Sequence, residues 1–292
     1  MNIIQSLTNR LGNISGAWLV FLAALAWSMA AGVVKVFDTH PLLLVGLRSL
    51  IGGLVLAATI RPKKIVFDRW LLLTIIVYTC MVTVTINALR MTAAAVVIAM
   101  QYTAPLWIFL VIWLVSKKLD KQRLVVMIII AAAISLFLIF PVPGTTGGGN
   151  WLALLLGILF AAMSVCLKKL RHDNTLGIVS IFNLGAALIV LPLCLILPDV
   201  PLYVGPTDWL FIAFLGIFQL TAGYVFYSLG IKKVTPQKAT LLGMWQFVLA
   251  PIWAFLAVGE LATPIVWVAC ILLIGALLWD NRIDSKRAAL KI

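Results

Sequence analysis

Residues 41–56 read PLLLVGLRSLIGGLVL, an apolar run that contains one charged side chain, Arg48. About 20 residues of this kind, coiled as a helix, cross the roughly 30 Å of hydrocarbon in a bilayer. The rest of the 292-residue chain has the same character, with 64% hydrophobic and 11% charged residues. A water-exposed globular surface cannot be built from that composition, so we predict an all-α polytopic membrane protein.

Ten segments are long and apolar enough to be spans, and we number them in chain order. They are 17–36, 41–60, 70–89, 93–115, 124–141, 151–167, 176–197, 209–230, 239–258 and 264–280. The first also resembles a cleaved secretory signal, because Arg10 precedes it and Ala24-Leu25-Ala26 is like a cleavage site. An internal repeat, described below, favours a structural helix instead.

The positions of lysine and arginine predict the orientation, because positively charged loops stay on the cytoplasmic side. Of the 22 basic residues, Arg48 is intramembrane, Lys35 and Arg90 lie on one side, and the other nineteen lie in alternate loops and at the termini. Both termini are therefore predicted to be cytoplasmic, and we expect a bacterial inner membrane. The net charge of +13 is then explained by the basic cytoplasmic loops that orient the protein in the membrane. No nucleic-acid partner is expected.

The loop PVPGTTGGGN, residues 141–150, is rich in helix-breaking residues and divides the chain into two halves of five spans. We place the halves at 1–148 and 149–292. The four cysteines all fall inside predicted spans without a CxxC spacing, so neither a disulfide framework nor a metal site is indicated.

The halves resemble each other in sequence. Gly16-x-Trp18-Leu19 and Gly149-x-Trp151-Leu152 open them, and the same spacing of 133 relates Lys35 to Lys168. Farther along, 105–119 aligns with 247–261 at a spacing of 142. An odd number of spans per half means that the second half enters the membrane inverted. Inverted repeats are a transporter architecture, with the substrate site near the midplane.

Several motifs extend this pattern over the whole chain. They are Pro41…Arg48 in span 2, Thr92-Ala-Ala-Ala…Pro105 in span 4, and Ala250-Pro251-Ile252-Trp253…Gly259-Glu260 at the end of span 9. Together they resemble the EamA family of the drug/metabolite transporter superfamily. Two departures are Lys117-Lys118, where that family usually has Gly-Glu, and Phe247, where a proline is common. The resemblance implies alternating access and export of amino acids or other small metabolites.

Polar and aromatic side chains at midplane depth are the candidate substrate contacts. They predict a polar cavity between spans 1, 3, 4, 6, 8 and 9, since buried amides and hydroxyls need partners or a wet cavity. The candidate residues are Trp27, Arg48, Tyr78, Thr83, Gln101, Tyr102, Gln219, Trp245 and Gln246. Two other interpretations stay open: the glutamines could join helices by hydrogen bonds, and the aromatic residues could be core packing.

Arg48 itself has two readings. It lies seven residues from the outer end of its helix, about 10 Å deep at 1.5 Å per residue. It could face the pathway and attract a carboxylate, or it could snorkel outward or bind helix-end carbonyls. Its counterpart by depth in the second half is Asn183.

Missing motifs narrow the function further. No G-x-x-x-x-G-K-[ST] occurs and no acidic residue or histidine lies deep in a span, so facilitated diffusion or exchange is favoured over ATP hydrolysis or proton coupling. Paired carboxylates and H-E-x-x-H are missing too, so we expect no enzyme and no cofactor. A sugar-phosphate or nucleotide-sugar carrier needs several cations to hold its phosphates, and a scaffold has no use for midplane polar residues. We therefore keep both functions only as alternatives. We predict a monomeric or weakly dimeric exporter of an amphipathic or aromatic zwitterion in the lipid bilayer.

Overall fold

The computed structural model describes residues 14–36, 38–59, 67–117, 121–140, 142, 146–170, 175–234, 239 and 242–289. Its helices form the ten predicted spans. Their bounds are Gly16–Ser28 with Ala30–Val33, Pro41–Thr59, Arg69–Met91, Ala94–Gln101 with Ala104–Ser116, Lys121–Ile139, Gly147–Lys169, Thr175–Ile196, Pro206–Gly230, Trp245–Val258 and Pro264–Ala289. Within these residues nine spans are long and apolar enough to cross a membrane, and the described helix of span 9 is shorter, with 14 residues.

The contacts between spans have a two-fold pattern. Span 3 packs on span 6, and its counterpart, span 8, packs on span 1. In the same way span 4 packs on span 6 and span 9 on span 1, whereas spans 2 and 7 and spans 5 and 10 pair with their own counterparts. This pattern is what two inverted five-helix repeats produce, so the predicted architecture is confirmed.

The two glycines that open the halves make equivalent contacts. A Cβ on Gly16 would lie 2.9 Å from the carbonyl oxygen of Gly230, near the end of span 8. A Cβ on Gly149 would lie 2.7 Å from the carbonyl carbon of Met91, at the end of span 3. Both approaches are too close for a side chain, which explains why each repeat begins with glycine.

Spans 4 and 9 are interrupted at equivalent positions. Span 4 breaks at Tyr102 and Thr103, and span 9 breaks at Met244, which lies 142 residues after Tyr102. The same spacing relates Lys117 to Gly259, and both end their helices with a left-handed backbone, at φ of 56° and 70°. Lys117 therefore adopts, in spite of its Cβ, the conformation that glycine supplies in the second half.

Two further irregularities lie beside the candidate site. Span 1 is interrupted at Met29, between Gly16–Ser28 and Ala30–Val33. Span 8 contains a π-helical stretch, Leu215–Ala222, between the α-helices Pro206–Phe214 and Gly223–Gly230. Interrupted helices and π-helical turns free backbone groups and are frequent at functional sites.

Candidate functional site

Arg48 lies where span 2 meets span 8 and is only 4% exposed. Its Nη1 donates a hydrogen bond of 3.3 Å to Oε1 of Gln219. The buried Nε has no hydrogen-bond partner among the described residues. The side chain therefore does not snorkel outward, and it keeps an unused donor inside the protein.

Close packing of glycines brings span 8 to Arg48. A Cβ on Gly216 would lie 2.9 Å from the carbonyl oxygen of Arg48, and one on Gly52 would lie 2.9 Å from the carbonyl oxygen of Gly216. The hydroxyl of Thr221 donates to the Gly216 carbonyl at 2.9 Å. That bond satisfies a carbonyl within the π-helical turn, the segment that also carries Gln219.

A second polar pair lies between spans 3 and 7. The hydroxyl of Tyr78 donates to Oδ1 of Asn183 at 2.6 Å, and Nδ2 of Asn183 donates to the carbonyl of Val179 at 2.8 Å. Tyr78 is 2% exposed and Asn183 is fully buried. The ring of Phe182 lies 4.2 Å from the Tyr78 ring, centroid to centroid. The midplane polarity predicted at Tyr78 is therefore satisfied within the protein.

Aromatic rings adjoin these polar groups. The ring of Trp27 lies 5.3 Å from the rings of both Tyr224 and Tyr227, and Tyr224 lies 6.0 Å from Phe182. Arg48 is close enough to the hydroxyls of Tyr78 and Tyr224 to interact electrostatically with both. We refer to this group as the Arg48 cluster: Trp27, Arg48, Tyr78, Phe182, Asn183, Gln219, Tyr224 and Tyr227.

A separate group forms at the two equivalent helix breaks. The hydroxyl of Tyr102 donates to the carbonyl of Gly243 at 2.8 Å and accepts a bond of 3.2 Å from Nε2 of Gln246. The rings of Phe247 and Phe160 lie 4.8 and 6.5 Å from the Tyr102 ring. We call these five residues the Tyr102 cluster; they join spans 4, 6 and 9.

The nine candidate residues thus divide between two clusters, with three outside both. Trp27, Arg48, Tyr78 and Gln219 share the first cluster, and Tyr102 and Gln246 share the second. Thr83 and Gln101 are half-buried on spans 3 and 4. Trp245 is 46% exposed and packs against Phe21, with the ring centroids 5.6 Å apart.

Sequence reasoning missed several members of the clusters. Tyr224 and Tyr227 carried a usable signal, because two tyrosines three residues apart share one helix face in the span that contains Gln219. Phe182 and Phe160 carried none, since phenylalanine occurs throughout these spans. Asn183 was noted only for its depth, and its bond to Tyr78 depends on how spans 3 and 7 pack.

A cavity of about 230 Å³ lies elsewhere, between spans 4, 5 and 10. Apolar residues such as Pro105 and Phe109 line it together with Arg123 and Asp280, whose Nε and Oδ1 are 3.7 Å apart. None of the nine candidate residues lines it. No group of three or more histidine, cysteine or acidic residues that could hold a metal occurs in the described part of the chain.

A comparison with models of known protein families agrees with the two-fold pattern of the fold. The model of the EamA-like transporter family matches the chain twice, over residues 14–139 and 147–280. A crystal structure of another protein covers 93% of this chain and 98% of its own, with 21% sequence identity and a TM-score of 0.65; this similarity concerns the fold alone. No curated protein sequence matches significantly.

Proposed function

Because the chain belongs to the EamA-like transporter family, we propose that it exports a small amphipathic or aromatic zwitterion, such as an amino acid, by alternating access. Members of this family are transporters rather than enzymes, and the chain is a multi-pass membrane transporter of the drug/metabolite transporter superfamily. The proposal adds to this a substrate class, a direction and a binding site.

The proposal rests on the burial and the incomplete hydrogen bonding of Arg48. Its guanidinium is buried, its bond to Gln219 is long at 3.3 Å, and its Nε is unpaired among the described residues. A substrate carboxylate could occupy that free donor and displace the weak bond to the amide of Gln219. A carboxylate is negatively charged, so its bond to the guanidinium is stronger than the bond to the uncharged amide of Gln219 that it replaces.

The surroundings of Arg48 support an apolar or aromatic substrate side chain. The Tyr224 ring lies 5.3 Å from the Trp27 ring and 6.0 Å from the Phe182 ring, centroid to centroid, and aromatic pairs favour offset or edge-on contact. The hydroxyl oxygens of Tyr78, Tyr224 and Tyr227 are acceptors for the N–H groups of a substrate ammonium. The change between the inward-facing and outward-facing states would involve movement of the interrupted spans 1, 4, 8 and 9.

A phosphorylated substrate is the alternative, and the charges around Arg48 favour it less. Phosphate groups are held by several cations. The sequence offers Lys35 and Lys168 beside Arg48 as candidate cations, and Lys35 already forms an ion pair with Glu260. A carboxylate requires only the one guanidinium that is buried in the Arg48 cluster.

Thermal unfolding of the purified protein with four ligands tests the proposal. L-phenylalanine at about 100 times its Kd should stabilise the folded protein by about 2.7 kcal/mol. N-acetyl-L-phenylalanine should stabilise it less, and L-phenylalaninamide, which has no carboxylate, hardly at all. Stabilisation by UDP-glucose alone would favour the phosphorylated alternative, and an equal effect of acid and amide would contradict the carboxylate site.

The proposal also includes a location, the bacterial inner membrane with both termini cytoplasmic. The alternation of basic loops supports it. We expect reporter fusions after Gly147 and after Lys169, which lie at the two ends of span 6, to report opposite sides of the membrane. Activity of a periplasm-specific reporter after Gly147 and of a cytoplasm-specific reporter after Lys169 is the expected result. Both fusions on one side would refute the inverted orientation.

A further inference from the structure

A charged cluster joins the ends of spans 1, 3 and 9 and the beginning of span 4, away from the Arg48 and Tyr102 clusters. Lys35 follows the last helical turn of span 1, and Glu260 follows the left-handed Gly259 that ends span 9. Nζ of Lys35 donates to Oε2 of Glu260 and also to the carbonyl of Thr92, at 3.0 Å. The side chains of Lys35 and Glu260 are 11% and 16% exposed, so water screens this pair little.

Glu260 has a second role in this cluster. Its Oε1 accepts a hydrogen bond of 2.8 Å from the backbone N–H of Ala94, the first residue of span 4. The N-cap residue of that helix, Ala93, provides no side-chain cap. A carboxylate at a helix N-terminus is stabilising because it satisfies a free N–H group and complements the helix dipole. Glu260 of the second half therefore caps a helix of the first half.

We propose that Lys35 and Glu260 form a latch that holds the transporter closed at its non-cytoplasmic end. The proposal rests on the proposed transport by alternating access and assigns the residues that regulate it. The basic-loop pattern places the ends of spans 1, 3 and 9 on this side. Separating span 9 from spans 1 and 4 at this end requires breaking the ion pair and the cap together.

The sequence provides no equivalent of this latch at the cytoplasmic end. The spacings of 133 and 142 that relate the two halves assign Lys168 and Lys118 as the counterparts of Lys35 and Glu260. Two lysines cannot form an ion pair with each other, whereas Lys35 and Glu260 do. We therefore infer that the latch favours the state that is closed outside and open to the cytoplasm, the state in which an exporter loads its substrate.

Hydrogen–deuterium exchange of the full, ligand-free protein tests the latch. Lys35→Met removes the ion pair and leaves the cap, whereas Glu260→Gln removes the charge from both. In each variant we expect amides of residues 92–101 to exchange about fivefold faster or more, the factor typical for loss of a cap or a comparable contact. At the opposite end, residues 16–22 and 223–233 should exchange more slowly, because opening outside closes the inside.

The decrease at the cytoplasmic end separates a latch from a merely structural contact. Faster exchange confined to residues 92–101 would mean local fraying and would overturn the proposal, as would no change. If Glu260→Gln does not fold, Lys35→Met alone decides the outcome. Because no ligand is present, a negative result here is independent of which substrate binds at Arg48.

Two comparisons complete the design. Asp280→Asn weakens the Arg123–Asp280 ion pair between spans 5 and 10 and should leave both sets of amides unchanged. Lys35→Cys with Glu260→Cys, in a background without the four native cysteines, can be joined by a bifunctional thiol reagent. Because Glu260→Cys also removes the cap on Ala94, the readout is the cytoplasmic end. Joining the cysteines should return the exchange of residues 16–22 and 223–233 to the native rate, and failure to do so would contradict the latch.

Discussion

Arg48→Lys is expected to leave the protein folded and to weaken L-phenylalanine binding by about tenfold to a hundredfold, the range for one charge-assisted hydrogen bond. Lysine keeps the positive charge, but its compact ammonium cannot present two parallel N–H groups to a carboxylate. The Kd, measured by calorimetry or by thermal shift, checks the expectation. Binding of L-phenylalaninamide should remain as weak as it is to the native protein.

The matched control is Arg69→Lys, at the beginning of span 3, where the guanidinium lies 5.7 Å from the centre of the Trp70 ring. The same exchange of arginine for lysine there should not alter the Kd for L-phenylalanine. If Arg48→Lys stays well folded and binds the acid as tightly as before, Arg48 does not contact the carboxylate. It would then be a structural residue that ties span 2 to span 8.

Gly157→Ala is expected to lower the melting temperature by about 5 °C or more, the effect of about 2–3 kcal/mol of overpacking. A Cβ on Gly157 of span 6 would lie 2.2 Å from Oγ1 of Thr103 and 2.5 Å from the carbonyl oxygen of Met100. Relief of this clash would move the backbone beside the break in span 4, which carries Tyr102. Thermal unfolding in detergent measures the change.

Gly275→Ala in span 10 is the corresponding control, because nothing lies within 4 Å of the position a Cβ would take. Alanine is a better helix former than glycine, so this variant should be unchanged or stabilised by about 0.5–1 kcal/mol. An equal loss of stability in both variants would show that the close contact between spans 4 and 6 is not the cause.

The repeat is recognised in the sequence most clearly where its physical requirement is unusual. Gly16 and Gly149 are recognisable because no other residue allows the approach of a neighbouring helix end. The alignment of 105–119 with 247–261 places Lys117 opposite Gly259, but a lysine gives no sign that both residues end their helices in the left-handed conformation. The π-helical turn in span 8 also left no signal, because its backbone depends on the packing of Gly216 against span 2.

The sequence by itself determined the membrane class, the ten spans and the two-fold architecture, and it predicts the orientation. Those properties depend on hydropathy and charge summed along continuous segments, because each segment enters the bilayer according to its own hydropathy and flanking charge. Only the tertiary structure decided which side chains meet: Tyr78 with Asn183, Arg48 with Gln219, and Lys35 with Glu260, at separations of 105, 171 and 225 residues. Lipid-facing and protein-facing sides of these helices are both apolar, so no sequence pattern indicates how each helix is rotated. That rotation follows from close packing at small residues, which is a property of the assembled fold.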